Sequence, residues 1–430
     1  MNAVFLGAVL IAFVVAGYRQ ITFKVTPGAT APMDALGLAM IDAAKGSVTL
    51  AIGLVGVMAL FLGLMKVAEA GGLLAIIAKT VRPLMVRLFP EVPADHPAMG
   101  AMIMNISANV LGLGNAATPF GIRAMQELDK LNPHKGTASN AMVMFLAINT
   151  SSVTLLPTGV IALRASAGSE DPAGILPTTL FATICSTIVA ITAVKLYQRF
   201  TTPAAAYGSD AEDPVEDADT AGDAVPPVAS EPYPVWVSAT VLAVVVALIP
   251  VTILYGRDIA PWIIPGLMIA LLGFGALRSV PIYEVFVEGA KGGFDVALRI
   301  IPYLVAILVA VAMLRSSGAL ELLITPLGAI TTLFGLPPEA LPMALLRPLS
   351  GSGAYGVLAS TIQDPTTGPD TYVGYLVSTF QGSTETTFYV LAVYFGAVQI
   401  RRIRHALAAA LTADIAGIAA AIAITSYLFA

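Results

Sequence analysis

Apolar runs long enough to cross a bilayer recur along the whole chain, at 2–18, 46–68, 174–198, 235–255, 262–278, 293–314 and 406–428. About 20 helical residues span the hydrocarbon core. A soluble core has no place for so many such runs. Of 430 residues, 57% are hydrophobic and only 11% are charged, against about 25% charged in soluble domains. The expected fold class is therefore an all-α polytopic membrane protein. Segments 136–166 and 371–400 are apolar but interrupted by polar clusters, and they read as broken transmembrane helices. Segments 97–130 and 340–362 are shorter apolar arms around Gly-rich breaks, and they read as re-entrant helical hairpins. Residues 73–89 place Lys79, Arg82 and Arg87 among leucines and isoleucines, as an amphipathic helix at the interface would.

One stretch breaks the apolar pattern. Residues 201–234 hold eight acidic residues and no Lys or Arg. They cannot bury enough apolar area to offset their ordering entropy, so a disordered acidic linker is expected there. It divides the chain into an N-terminal domain, 1–200, and a C-terminal domain, 235–430. The two repeat one order of elements. Ala44-Lys45-Gly46 falls on Ala290-Lys291-Gly292, and Gly72 falls on Gly318 without a gap. Pro93 and Pro97 fall on Pro338 and Pro342 after one deletion. Sustained weak self-similarity is the mark of a duplicated membrane protein.

Lys and Arg placement sets the orientation. With the N-terminus cytoplasmic and nine crossings, fourteen basic side chains fall in the cytoplasm. Six fall outside: Arg19, Lys24, Lys45, Arg164, Arg257 and Arg315. The second half then has one more leading span than the first, so the two repeats are expected to be inverted. The expected location is the inner (cytoplasmic) membrane, and residues 3–17 read as a first span rather than a cleaved signal. A single cysteine, Cys185, excludes an intramolecular disulfide and a cysteine-rich metal site. His96, His134 and His405 are scattered, and no metal or cofactor is expected. No basic face suggests nucleic acid.

Four polar clusters carry the candidate chemistry. The first holds Asn105, Asn109, Asn115 and Thr118. The second is Asn149-Thr150-Ser151-Ser152. The third holds Arg347, Ser350 and Ser352. The fourth holds Gln381, Ser383, Thr384, Glu385 and Thr386. Gly and Pro end helices here, and the freed backbone groups survive at bilayer depth only against protein or a wet cavity. Half-helix N-termini then offer partial positive charge to an anionic or dipolar ligand. Each residue alone fits helix packing equally well. Four clusters at corresponding places in two halves point to a shared midplane site. Arg347 and Glu385 are the sharpest members, because a charge at that depth costs about 2.5–3.5 kcal/mol on insertion scales. They read either as a locking ion pair or as ligand contacts. Asp414 and Arg299 are expected nearer the interfaces, in structural roles. The GxGxxG match at 351–356 follows no strand, so a dinucleotide site is rejected.

The stretches 89–133 (FPEVPADHPAMGAMIMNISANVLGLGNAATPFGIRAMQELDKLNP) and 145–165 (FLAINTSSVTLLPTGVIALRA) resemble the spore maturation protein A family. The stretches 286–321, 346–356 (LRPLSGSGAYG) and 378–402 (STFQGSTETTFYVLAVYFGAVQIRR) resemble the spore maturation protein B family. The resemblance covers nearly the whole chain outside the linker, as two such proteins fused head to tail. Both families fall in the nucleoside-recognition or gate domain group, with concentrative nucleoside transporters and the gate region of the ferrous-iron transporter B. The resemblance implies hairpins, broken helices and a role in spore maturation. It does not imply a nucleoside substrate. Gln381 and Glu385 resemble the ligand-binding hairpin residues of nucleoside carriers, whereas the Asn149–Ser152 cluster has no matching carboxylate.

The function expected is that of a transporter or permease. It would move a small polar or anionic solute, nucleoside-like among the options, by alternating access at the midplane. Its expected partners are that solute, membrane lipids, a coupling ion (H+ or Na+) and a second copy of the chain. The alternative is a non-transporting assembly factor for spore or envelope maturation. An enzyme is not expected, because no nucleophile–base pair or metal set is visible.

Overall fold

The computed structural model describes residues 2–24, 30–112, 114–201 and 233–429. The linker expectation therefore falls, at 202–232, outside the described residues. Among the described residues the backbone is helical, with one isolated bridge between Thr137 and Arg402. Before the linker come α1 (Asn2–Ile21), α2 (Pro32–Ala70), α3 (Leu73–Leu88), α4 (Pro97–Val110), α5 (Gly114–Lys130), α6 (Asn140–Thr150), α7 (Thr158–Ser166) and α8 (Leu176–Gln198). After it come α9 (Val235–Leu277), α10 (Ile282–Ser317), α11 (Ala319–Thr331), α12 (Leu341–Leu346), α13 (Gly351–Gln363), α14 (Tyr372–Ser383), α15 (Thr387–Gly396) and α16 (Ala406–Phe429).

The build is that of a multi-pass membrane protein. Helices α2, α8 and α16 are each long and apolar enough to cross a bilayer. The apolar pair 326–334 and 338–346, bent by 102°, adds a fourth if it counts as one span. Large apolar side chains such as Ile52, Ile188 and Ile415 face outward from these helices, where acyl chains rather than water would cover them.

The repeated sequence yields repeated structure. Gly72 and Gly318 both adopt left-handed backbone, at φ +86° and +77°, and each turns a long helix into a shorter one, α2 into α3 and α10 into α11. Glycine enters that region without the Cβ penalty other residues meet. Segments 136–166 and 371–400 are each two helices around a break, α6 with α7 and α14 with α15. Segments 97–130 and 340–362 each hold two consecutive helices, α4 with α5 and α12 with α13.

Corresponding helices pack on each other. Helix α2 lies along α10, and a Cβ on Gly63 would strike Phe286, while one on Gly293 would strike the Ala59 backbone. As α10 advances from 286 to 293, its contact on α2 retreats from 63 to 59, so the two run antiparallel. Small residues let the backbones approach this closely. Helices α8 and α16 are antiparallel as well. Thr201, beyond the end of α8, bonds His405, before the start of α16, at 2.9 Å, while Ser186 within α8 donates to Ala413 O at 2.8 Å and lies against Gly417.

The structure corrects the connection between two expected spans, which is helical rather than a loop. The runs 235–255 and 262–278, expected as separate spans with a connection at Arg257, are one continuous helix, α9. Straight, its 43 residues would extend about 64 Å at 1.5 Å each. Yet Tyr233 lies under Lys79 of α3, and Gly275 touches Val67 near the end of α2. Both ends thus reach one neighbourhood, so α9 bends strongly along its length. The prolines at 250, 261 and 265 lack the N–H of a helical bond, and proline is a residue type that bends a helix axis without ending it. The glycine and charge pair at 256–258 do not make a loop.

The antiparallel register of α2 and α10 is open to cross-linking. In a Cys185→Ala background, the pair Leu62→Cys with Gly292→Cys and the pair Lys66→Cys with Glu288→Cys, both in neighbouring positions of the two helices, are each expected to be joined by a short bifunctional thiol reagent. The check is gel mobility after a protease site in the linker has been cut. A parallel arrangement would permit at most one of the two pairs.

Candidate functional site

The site is built from the four chain breaks. Helix α6 starts at Ser139, whose hydroxyl accepts from Met142 N at 3.2 Å. It ends at Thr150 and Ser151, whose hydroxyls bend back to Ala147 O at 3.0 and 2.8 Å. Such back-bonds compete with the helical ladder, and Pro157 bars its immediate resumption. Helix α14 ends similarly. Ser383 Oγ turns back to Phe380 O at 3.3 Å, and Thr384 is extended. Helix α4 ends at Gly112, φ +75°, where a Cβ would collide with the Leu156 carbonyl.

The freed backbone groups find one another. Glu385 N donates to Thr150 O at 2.9 Å, so the break of the second half is bonded to the break of the first. Leu155 N donates to Val110 O at 2.9 Å, and Phe388 N to Pro348 O at 3.1 Å. Each chain leaving a break thereby pairs with the turn of its own helical hairpin.

Two side-chain networks surround these contacts. In the first, Asn109 Nδ2 donates to Asn149 Oδ1 at 2.9 Å, and Asn149 Nδ2 donates to Phe145 O at 2.9 Å. Asn105 Nδ2 donates to Ala117 O at 2.8 Å and to Tyr394 OH at 3.2 Å, and that hydroxyl donates to Asn149 Oδ1 at 3.4 Å. In the second, Arg347 donates to Thr386 Oγ1 at 2.9 Å and to the Thr384 carbonyl. Its Nη2 stands 3.7 Å from Glu385 Oε2, with Arg347 4% exposed and Glu385 46% exposed. Thr387 Oγ1 donates to Asp414 Oδ2 at 2.6 Å.

Of the residues singled out in sequence, Asn105, Asn109 and Asn149 share the first network, and Arg347, Thr384, Glu385 and Thr386 share the second. The Thr150 carbonyl touches the second through Glu385 N. Ser350 caps α13 by accepting from Gly353 N at 3.0 Å, while Ser151 and Ser383 satisfy their own helix ends. Asn105 Oδ1, Ser152 Oγ and Gln381 Oε1 are buried without a partner among the described residues. Thr118 and Ser352 are half-buried and join neither network there. The side chains of Asn115 and Arg299 lie outside the described ones.

Sequence reasoning missed Tyr394, which carries no signal within its apolar helix. It misplaced Asp414, which is 2% exposed and bonded beside the second break rather than near an interface. Arg164, counted in sequence on the outer side of the membrane, has a fully buried side chain whose partners sequence did not name. Arg164 donates to Pro369 O at 2.6 Å, to Asp171 O at 3.1 Å and to Asp370 Oδ1 at 3.1 Å, and its guanidinium lies 4.3 Å over the Tyr375 ring. Tyr375 in turn stacks on Phe429, at the end of α16. Beyond the other end of α16, Arg404 donates to Ala138 O at 3.1 Å and to Asn140 Oδ1 at 2.9 Å. The first half thus holds the start of α14, and the second half holds the start of α6.

A cavity of about 690 Å³ lies beside the second hairpin, lined largely by apolar residues such as Phe5, Ile307, Leu320 and Leu349. Arg315 and Asp364, paired at 2.7 Å, are among its lining residues. Bonds from Thr366, together with Arg315, hold the Asp364 carboxyl below the usual carboxylate range. None of the polar residues at the two breaks lines this cavity; the breaks are packed against each other.

A family model described as nucleoside recognition (Gate) matches residues 51–167 and 297–401, together about half of the chain. The chain belongs to the Gate family. The two Gate segments enclose both hairpins, both breaks and all the candidate site residues. The chain is similar to spore maturation protein A of Bacillus subtilis (strain 168), at 48% identity over 153 residues, 36% of this chain and 78% of that protein. It is also similar to spore maturation protein B of the same strain, at 46% identity over 166 residues, 39% of this chain and 92% of that protein. Its sequence is consistent with an A-like and a B-like protein fused into one chain. No solved structure matches.

Tyr394→Phe removes the hydroxyl that joins Asn105 to Asn149. It is expected to lower unfolding stability in detergent by about 1–3 kcal/mol, the cost of leaving a buried polar group short of a partner. Thermal unfolding checks this, with Tyr389→Phe, an exposed ring, as the neutral comparison.

Proposed function

We propose that this Gate protein is a transporter or permease that moves a small polar or anionic solute, of nucleoside-like polarity, through a midplane site. The observation that carries the reading is the meeting of the two breaks, where Glu385 N bonds Thr150 O with Arg347 and Glu385 alongside. Unpaired polar atoms at Asn105, Ser152 and Gln381 add capacity to bind a ligand. A buried polar group without a partner is costly, and a solute is one way to satisfy it.

The halves 1–200 and 235–430 act as inverted repeats with re-entrant hairpins. Antiparallel packing of corresponding helices supports this, because a two-fold axis in the membrane plane reverses each helix against its counterpart. Alternating access then rocks one repeat against the other, with the breaks sealed in the arrangement described. The protein lies in the inner membrane with its N-terminus in the cytoplasm. Lys79, Arg82, Arg87, Arg123, Lys130 and Lys135 fall on one side of that topology, and Arg401 and Arg402 pair with Gly136 on the same side.

A second reading, a non-transporting assembly factor, is favoured by the names of the two relatives, which concern spore maturation. It expects no small solute to stabilise the purified protein.

Glu385→Gln separates these roles. Glu385 is half exposed and only loosely paired with Arg347, so the variant is expected to lose less than about 1 kcal/mol of stability. It is also expected to abolish the thermal stabilisation given to the wild type by whichever nucleoside, nucleotide or small carboxylate scores in a ligand screen. A loss of about 3–5 kcal/mol, as for a broken buried ion pair, with rescue by adding Arg347→Met, would instead assign the pair to structure.

A further inference from the structure

We propose that Asp414 is a proton-binding site of the transport cycle, neutral in the arrangement seen here and ionised when Arg347 leaves Glu385. Asp414 lies in α16, one of the helices long and apolar enough to cross the bilayer. One carboxyl oxygen accepts from Thr387 Oγ1 at 2.6 Å, and the other is buried with no partner. Among the described residues no cation forms an ion pair with it.

The charges nearby compete for one cation. Arg347 is within electrostatic reach of both Glu385 and Asp414. It stands 3.7 Å from Glu385 and donates to Thr384 and Thr386, while its Nε is buried without a partner among the described residues. Arg347 is placed against Glu385, and the more deeply buried Asp414 has no cation beside it among the described residues, so it keeps its proton, because an unpaired charge in a low-dielectric interior is the costlier state.

The other titratable groups around α16 are engaged elsewhere or face away. On α6 there are none. On α8, Tyr197 bonds Thr412 at 3.0 Å, Lys195 is exposed, and Cys185 is a half-buried thiol. On α14, Tyr372 bonds Gly335 O and Ser426, and Tyr375 lies under Arg164. On α15, Tyr389 is exposed and Tyr394 bonds the asparagines. On α16 itself Tyr427 is exposed.

The step is a simple exchange. Asp414 in its carboxylic-acid form releases H+ to water as Arg347 turns to it, and takes H+ back as Arg347 returns to Glu385. No bond other than O–H forms or breaks. A proton held beside the junction of the two breaks is placed to couple its own movement to that of the solute. This assignment rests on the transporter reading for its purpose but not for its test.

The test is infrared difference spectroscopy of the purified full chain across a pH series in H2O and D2O. The wild type at mildly acidic pH is expected to show a protonated-carboxyl stretching band that shifts in D2O and vanishes at alkaline pH. Asp414→Asn should lose that band entirely, and Glu385→Gln should keep it. Should Asp414→Asn fail to fold, Thr387→Val serves instead, because loss of the donated hydrogen bond should move the band to higher frequency. Absence of the band in the wild type, its persistence in Asp414→Asn or its indifference to Thr387→Val would each overturn the proton site. A band present as expected, with no solute stabilising the protein at any pH, would leave the proton site standing and count against the transporter reading.

Discussion

Hydrocarbon offers no hydrogen bonds. A helix interrupted within a bilayer exposes N–H and C=O groups that nothing in the lipid satisfies, so every interruption must be answered from within the protein. Here the answers come partly from the same half, through Val110 O and Pro348 O, and partly from across the two halves. Glu385 N finds Thr150 O, and the ends of α6 and α14 are brought together by that need. The hairpins, the closing helices α8 and α16, and the long antiparallel pair of α2 and α10 form a frame that holds two broken helices end to end. The candidate chemistry follows from the same constraint, because side chains placed to satisfy a backbone break are also the side chains placed to satisfy a ligand.

Much of this frame was legible in sequence. The alignment of Gly72 with Gly318 was legible as a mark of duplication, and both glycines prove to take left-handed backbone at the end of a long helix. The breaks in 136–166 and 371–400 announced themselves as Ser, Thr and Asn inside apolar runs, which is where helices end. The bend of α9 was not legible. Glycine beside a charge pair looks like a loop, yet prolines can turn a helix without ending it.

The site was legible as a set of polar clusters, but its wiring was not. That Asn109 would meet Asn149, and Tyr394 would join both to Asn105, depends on how α15 of one half packs on α5 and α6 of the other, which no local pattern encodes. Asp414 was noticed as a charge in an apolar run and set nearer an interface, because sequence gives depth along a span but not the face turned to a neighbour. The burial of Arg164 was not legible for the related reason that its acceptors, Pro369 and Asp370, come from the far half of the chain.

Arg164 and Arg404 bear on how such a chain is assembled. Each reaches out of its own half to fasten the loop that begins the other half's broken helix. Neither half therefore holds a complete set of partners for its own backbone, and a half made alone would wait with its broken helix untethered. Carrying both on one polypeptide fixes their ratio at one to one and presents each with its partner at the high local concentration of a tethered chain. The fusion thereby turns what would be an encounter between two membrane proteins into a step of folding.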